Sequence, residues 1–152
     1  MTIRHIACCT DFSENAEVAV ATAIDLADKY KARLFILHVM PPAVNPMLTD
    51  TEWVIAEEPR SSLVLKLKER MQNTYADRIP EKLEHELIVL DGHVSTEILG
   101  FLTEKSVDLA VMGSFGFTGM GLVVFGSVAK RVSHKAPCSV MIVRNPEADR
   151  KS

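Results

Sequence analysis

Short apolar runs alternate along this chain with longer segments whose apolar residues recur every three or four positions, and that alternation restricts it to α/β architectures. Ile3 to Cys9 is an apolar-rich run closed by Thr10 and Asp11, the pattern of a strand buried on both faces. Behind it, Ala16, Ala19, Val20, Ala23, Ile24 and Ala27 fall on one helical face, with Ser13 placed to cap that helix. Leu34 to Val39 is a second buried-type strand, stopped by Pro41 and Pro42, which bring no backbone donors. From Met40 to about Arg60 four prolines and no period predict a long loop or a short frayed helix. Leu63, Leu67 and Met71 mark a helix whose Lys66 to Arg70 charges read as a solvated face. Leu87 to Leu90 is a third strand ended by the turn Asp91-Gly92, and Ser95 is placed to cap a helix through Ile98, Leu99 and Leu102. Asp108 to Met112 is a fourth strand, Gly126 to about Lys135 a helix, and Ser139 to Val143 a fifth strand.

Five strands alternating with four helices specify an α/β three-layer sandwich, a five-stranded, mainly parallel sheet with helices on both faces. The strand order 3-2-1-4-5 covers both faces and places a topological switch between strands one and four. Ligands bind at the carboxyl ends of strands beside such a switch, here at Thr10 to Ser13 and Gly113 to Gly116. The 152 residues suit a single domain over residues 1–146, followed by a polar tail over 147–152. A net charge of −3 argues against a nucleic-acid partner and a membrane surface, both of which call for a basic face. No apolar run approaches the roughly 18 residues of a spanning helix, and Met1 to Cys9 lacks the features of a secretory signal, so a cytoplasmic location is expected. Cys8, Cys9 and Cys138 form neither a CxxC pair nor a zinc spacing. Strand alternation points Cys8 and Cys9 to opposite faces as packing residues, with redox sensing as the alternative.

Chemistry concentrates in Gly113-Ser114-Phe115-Gly116, followed after nine residues by Gly126-Ser127. Glycines permit close backbone approach, so successive N–H groups can surround a phosphate. A helix opening at Gly126-Ser127 adds free amides, the positive end of its dipole and a hydroxyl. The result is a polyphosphate cradle with little fixed positive charge, which predicts modest affinity or dependence on a divalent cation. A GxxxxGK[ST] loop is absent, and Gly119-Met120-Gly121 gives only part of GxGxxG. A glycine-rich surface loop that binds nothing is the competing reading. The five histidines, at 5, 38, 85, 93 and 134, form no metal spacing; His38 reads as a packing or hydrogen-bonded residue, and His93 stands where it can reach a cleft.

In this pattern the sequence resembles the universal stress protein family, in the branch whose members bind ATP. The family's G-x2-G-x9-G-[ST] signature is matched by Gly113, Gly116, Gly126 and Ser127, and the resemblance extends to Ile6 to Glu14, His38-Val39 and Ala136 to Val143. It implies that Asp11 binds the ribose hydroxyls and that Val39 meets the adenine through its backbone. Gly113, Gly116, Gly126 and Ser127 would then hold the phosphates of ATP, with Mg²⁺ or Mn²⁺ as a possible companion. Asp11 suits this physically, because a carboxylate accepts two hydroxyl hydrogen bonds, although a helix-capping role explains it too. Thr10 is placed to line the same cleft or to make a strand-end turn contact. Phe115 and Phe117 stand where many relatives carry a histidine and a basic residue, which makes this loop more apolar. The resemblance further implies a homodimer through the last strand, and Ser139 to Val143 suits an edge that extends across a two-fold axis. The expected function is a nucleotide-dependent stress-response switch without evident catalysis. A nucleotide-independent interaction or chaperone-like module using the Phe-rich loop is the alternative, and a weak ATPase a third reading.

Overall fold

Strand β1, His5–Cys9, starts where its first amides find an acceptor: the Asp108 carboxylate takes hydrogen bonds from the main-chain N–H of Arg4 (2.8 Å) and His5 (2.9 Å). This use of Asp108 moves the start of the fourth strand one residue later than its apolar run indicates. The computed structural model describes residues 1–42, 59–114 and 126–146. Within them follow α1 (Glu14–Tyr30), β2 (Arg33–Met40), α2 (Arg60–Tyr75) with a 3₁₀ turn at Ala76–Arg78, and β3 (His85–Asp91). The chain continues through α3 (Val94–Glu104), β4 (Leu109–Gly113), α4 (Ser127–Lys135) and β5 (Ser139–Val143). The sheet order is β3-β2-β1-β4-β5 and every pair is parallel. Architecture and strand order are those expected from the sequence, with the sheet wholly rather than mainly parallel.

Alternation along the strands divides the core. Ile6, Cys8, Leu34 and Ile36 pack against Ala19, Val20 and Ala23 of α1 and Met71 and Tyr75 of α2. Ala7, Phe35, Leu37, Val39 and Met112 pack on the other side against Ile98 and Leu102 of α3 and Ala129 and Val132 of α4. Cys8 and Cys9 therefore lie on opposite faces, as alternation requires. Ser13 caps α1, its hydroxyl accepting from the Ala16 N–H at 3.2 Å, and Lys31 ends the helix in the left-handed region at φ 55°.

Other boundaries also differ from expectation: β1 starts at His5 rather than Ile3, and β2 extends one residue beyond Leu34 to Val39 at each end. The cap of α3 is His93, not Ser95: His93 Nδ1 accepts from the Thr96 N–H (3.4 Å), while Ser95 lies buried in the first turn. Imidazole is a rare cap, which is why the hydroxyl two residues on draws attention first. Strand β3 also begins two residues before its apolar run, because His85 and Glu86 occupy a sheet edge that tolerates polar side chains; Glu86 pairs there with Arg33. Gly116, Phe115, Phe117, most of the proline-rich segment and the 147–152 tail lie outside the described residues.

Candidate functional site

Strands β1, β2 and β4 all end at one edge of the sheet, and the chain leaves β1 toward one face and β4 toward the other. Between them opens a cleft of about 400 Å³ at the topological switch. Six of the residues singled out from the sequence line it together: Thr10, Asp11, Val39, Gly113, Gly126 and Ser127. Gly116 lies outside the described residues.

The β1–α1 turn presents Asp11. Its Oδ1 accepts from the Ser13 N–H at 2.9 Å, which anchors an exposed carboxylate ahead of α1. Phe12 turns the chain in the left-handed region at φ 65°, and its ring lies 4.8 Å from His38 and 5.9 Å from Tyr75, stacked on the latter. The Arg70 guanidinium sits 4.0 Å above the same ring, so this member of the expected solvated face has a structural contact. The Thr10 hydroxyl is committed to local bonds, to the Tyr75 hydroxyl at 2.5 Å and from the Phe12 N–H at 3.0 Å. Burial pushes the Tyr75 hydroxyl up to about 12, against the bond to Thr10.

His38 makes the hydrogen bond expected of it. The Thr10 carbonyl can only accept, so His38 Nδ1 carries the proton in their 2.9 Å bond. Burial holds the imidazole below its ordinary value, outweighing the Thr10 bond and the Asp11 charge, with Arg70 also opposing protonation. Val39 follows. In a parallel ladder a residue's N–H and C=O face the same neighbour, and successive residues alternate. Leu37 accepts from Thr10 on the β1 side (2.8 Å) and Met40 from Gly92 on the β3 side (3.0 Å), so Val39 faces β1. Pairing with β1 ends at Cys9 and Leu37, and no main-chain bond joins Val39 to Thr10. The Val39 donor and acceptor therefore point across the cleft.

On the opposite wall, Gly113 packs against the start of α1. A Cβ there would stand 3.1 Å from the Asn15 carbonyl oxygen, so glycine permits the close approach of β4 to α1. The Gly126 N–H donates to the Ser114 carbonyl at 2.7 Å, tying the entry of α4 to the end of β4. Unlike α1 and α3, α4 has no side-chain cap, and its first-turn amides open beside the cleft. Asn15 Oδ1 and Ser114 Oγ are buried without a hydrogen-bond partner. Cys9 also lines the cleft, but burial, with Cys138 nearby, pushes its thiol up to about 12, which keeps it protonated and slow to react. His93 serves as the α3 cap. No group of three or more metal-ligating side chains occurs among the described residues, nor any helix long and apolar enough to cross a membrane.

The model of the universal stress protein family matches residues 2–144. The chain belongs to the universal stress protein family. Among curated universal stress proteins, YxiE of Bacillus subtilis is 32% identical over 139 residues, covering 88% of this chain and 94% of YxiE. MJ0531 of Methanocaldococcus jannaschii is 29% identical over 146 residues, covering 92% of this chain and 81% of the relative. The solved structure of MJ0577, described as a structure-based assignment of biochemical function, superimposes with TM-score 0.72 at 25% identity over 95% of this chain and 98% of that one. Two further structures share the fold: a universal stress protein in complex with cAMP, and one from Archaeoglobus fulgidus in complex with dAMP. Their TM-scores are 0.66 and 0.55, at 18% and 23% identity; they cover 95% and 93% of this chain and 98% of each of their own.

In this universal stress protein α4 carries a further feature, a basic stripe that starts at the cleft residue Ser127 and runs beyond the lining. Ser127, Lys130, Arg131, His134 and Lys135 are all exposed and spaced three, one, three and one apart, which puts them on one stripe. Charge recurring at helical spacing is the sequence signal for it.

Proposed function

We propose that this universal stress protein binds an adenine nucleotide, ATP with Mg²⁺ or Mn²⁺ in the first instance, and acts as a nucleotide-dependent switch. The observation that carries this reading is the cleft at the switch point, walled by the open main chain of Val39, the Asp11 carboxylate and the uncapped start of α4. The chemistry suits each part of such a ligand. An adenine edge offers an acceptor beside a donor, the complement of the Val39 N–H and C=O. The ribose hydroxyls donate to the Asp11 carboxylate, which the Ser13 turn holds at the exposed mouth of the cleft. Phosphates match the α4 amides, the Ser127 hydroxyl and the backbone of Gly113, Gly126 and, by the signature, Gly116. The buried Asn15 Oδ1 and Ser114 Oγ add polar atoms near the same wall. Structures of related fold determined with cAMP and dAMP support an adenine nucleotide as the ligand class.

Switching requires that nucleotide bind two conformations or assemblies unequally. The protein acts as a homodimer through β5, whose outer edge carries unpaired backbone groups and the exposed Met141. Residues 1–146 form the nucleotide-binding domain, which operates in the cytoplasm. Calorimetric titration with ATP and Mg²⁺ tests the reading. Saturable binding that a Gly126→Val/Ser127→Ala double variant abolishes supports it. Absence of binding at millimolar ATP overturns it in favour of a nucleotide-independent interaction module.

A further inference from the structure

The phosphate end of the cleft, read from glycines and amides, has little fixed charge; the stripe on α4 changes that. Lys130 and Arg131 stand three and four residues after Ser127, directly behind it on the same helical face. With a rise of about 1.5 Å per residue they lie about one turn from the cleft. Helical side chains lean toward the N-terminus and cover the preceding turn, so both cations are carried toward the α4 amides. Both are exposed, and the ion pairs among the described residues, Arg33 with Glu86, Arg60 with Asp91 and Arg78 with Glu17, leave them out. The sequence around them supplies no neutralising group: between Leu109 and Pro146 there is no aspartate or glutamate, so all 20 acidic residues lie elsewhere in a chain of net charge −3. A basic segment in an acidic protein, aligned with an uncapped helix start, is a local arrangement rather than a property of the whole surface. Nor do the described residues gather carboxylates at the cleft to hold a metal in compensation.

We propose that Lys130 and Arg131 form an outer phosphate subsite through which the cleft reads the length of a ligand's phosphate chain, favouring triphosphates over monophosphates. The inference rests on the nucleotide reading above and deepens it. A phosphate on the first-turn amides of α4 is held by partial charges alone, whereas each further phosphate extending over Ser127 comes within reach of two full charges. Charge-assisted bonds of that kind exceed neutral ones in strength.

The test is a calorimetric ladder of AMP, ADP and ATP, without Mg²⁺ and at low salt, on the wild-type protein and on Lys130→Gln/Arg131→Gln. Both positions are exposed, and an unchanged melting temperature verifies that the variant folds. Wild-type affinity is expected to climb with each phosphate. The double variant is expected to lose about tenfold in ATP affinity and less than about twofold in AMP affinity. Lys135→Gln, on the same stripe but farther from Ser127, is expected to leave the ladder intact. Equal losses for AMP and ATP, an unchanged ATP affinity, or a Lys135→Gln effect as large as that of the double variant would overturn the subsite. Each of those results still leaves nucleotide binding in place. If the wild-type protein binds none of the three, the nucleotide reading fails, and the subsite with it.

Discussion

Replacing Phe12 by alanine and, separately, by glycine separates two energies that the β1–α1 turn combines. The ring stacks on Tyr75 at 5.9 Å, meets His38 at 4.8 Å and lies under Arg70 at 4.0 Å. Aromatic pairs contribute about 0.5–1.5 kcal/mol each and an exposed cation–π contact about 0.5–1, so removal of the ring costs about 2–3 kcal/mol in either variant. The backbone term differs. At φ 65° an L-residue bears about 1–2 kcal/mol of strain, which alanine keeps and glycine relieves. Glycine's greater freedom in the unfolded chain returns less than about 1 kcal/mol of that gain. The glycine variant should therefore be the more stable by about 1 kcal/mol, the reverse of the usual ranking, with both below wild type. Urea unfolding followed by circular dichroism reads this as a midpoint about 0.5 M higher for Phe12→Gly than for Phe12→Ala at equal slope. An alanine variant as stable as the glycine one would refute the strain argument.

Three further outcomes follow from other contacts. Gly113→Val should press β4 against the first turn of α1, where even a Cβ meets the Asn15 carbonyl oxygen at 3.1 Å; overpacking of about 1–3 kcal/mol lowers the melting temperature by roughly 3–8 °C in calorimetry. Tyr75→Phe leaves the Thr10 hydroxyl without its 2.5 Å partner and should cost about 1–2 kcal/mol by chemical denaturation. The same variant should remove a stability loss at high pH: the native phenol is raised from 10.0 to about 12, so its contribution is complete below pH 10.0 and disappears as pH rises through 12. His38 runs the other way. Its imidazole titrates lower folded than unfolded, so the unfolded chain takes up protons first and stability falls as pH drops below 6.5. Melting temperatures of wild type and His38→Gln, compared between pH 8 and pH 5, should converge toward low pH.

Much of this molecule could be read from its letters, and the failures have physical causes. Strand β5 matches its apolar run residue for residue, because Pro137 and Arg144 bracket it sharply. Strand β3 was underestimated because an edge strand needs no apolar residue at every position, and His85 and Glu86 carry no hydrophobic signal. His93 took the cap assigned to Ser95 because a neutral imidazole nitrogen can accept as a hydroxyl does, an option that propensities rank low. In the cleft, the glycine spacing and the strand-end aspartate led to six residues that do share one cavity. The side of the sheet that Val39 addresses was invisible, since it follows from where β1 stops pairing and not from the valine itself. The Arg70 contact with Phe12 is equally hidden, for it joins the first crossover connection to the second across β2.

The adjacent thiols of Cys8 and Cys9 have different exits to solvent. Cys8 is fully buried between the sheet and α1, and burial, chiefly, holds its thiol protonated well above the ordinary range. A thiol-specific reagent reaches it only when β1 leaves the sheet, so its labelling clock counts global unfolding. Cys9, on the other face, is partly exposed where it lines the cleft, so reagent reaches it without unfolding, and a filled cleft should slow its labelling. Two neighbouring atoms of sulfur thus give the chain a built-in pair of reporters, one for the life of the fold and one for the occupancy of the cleft.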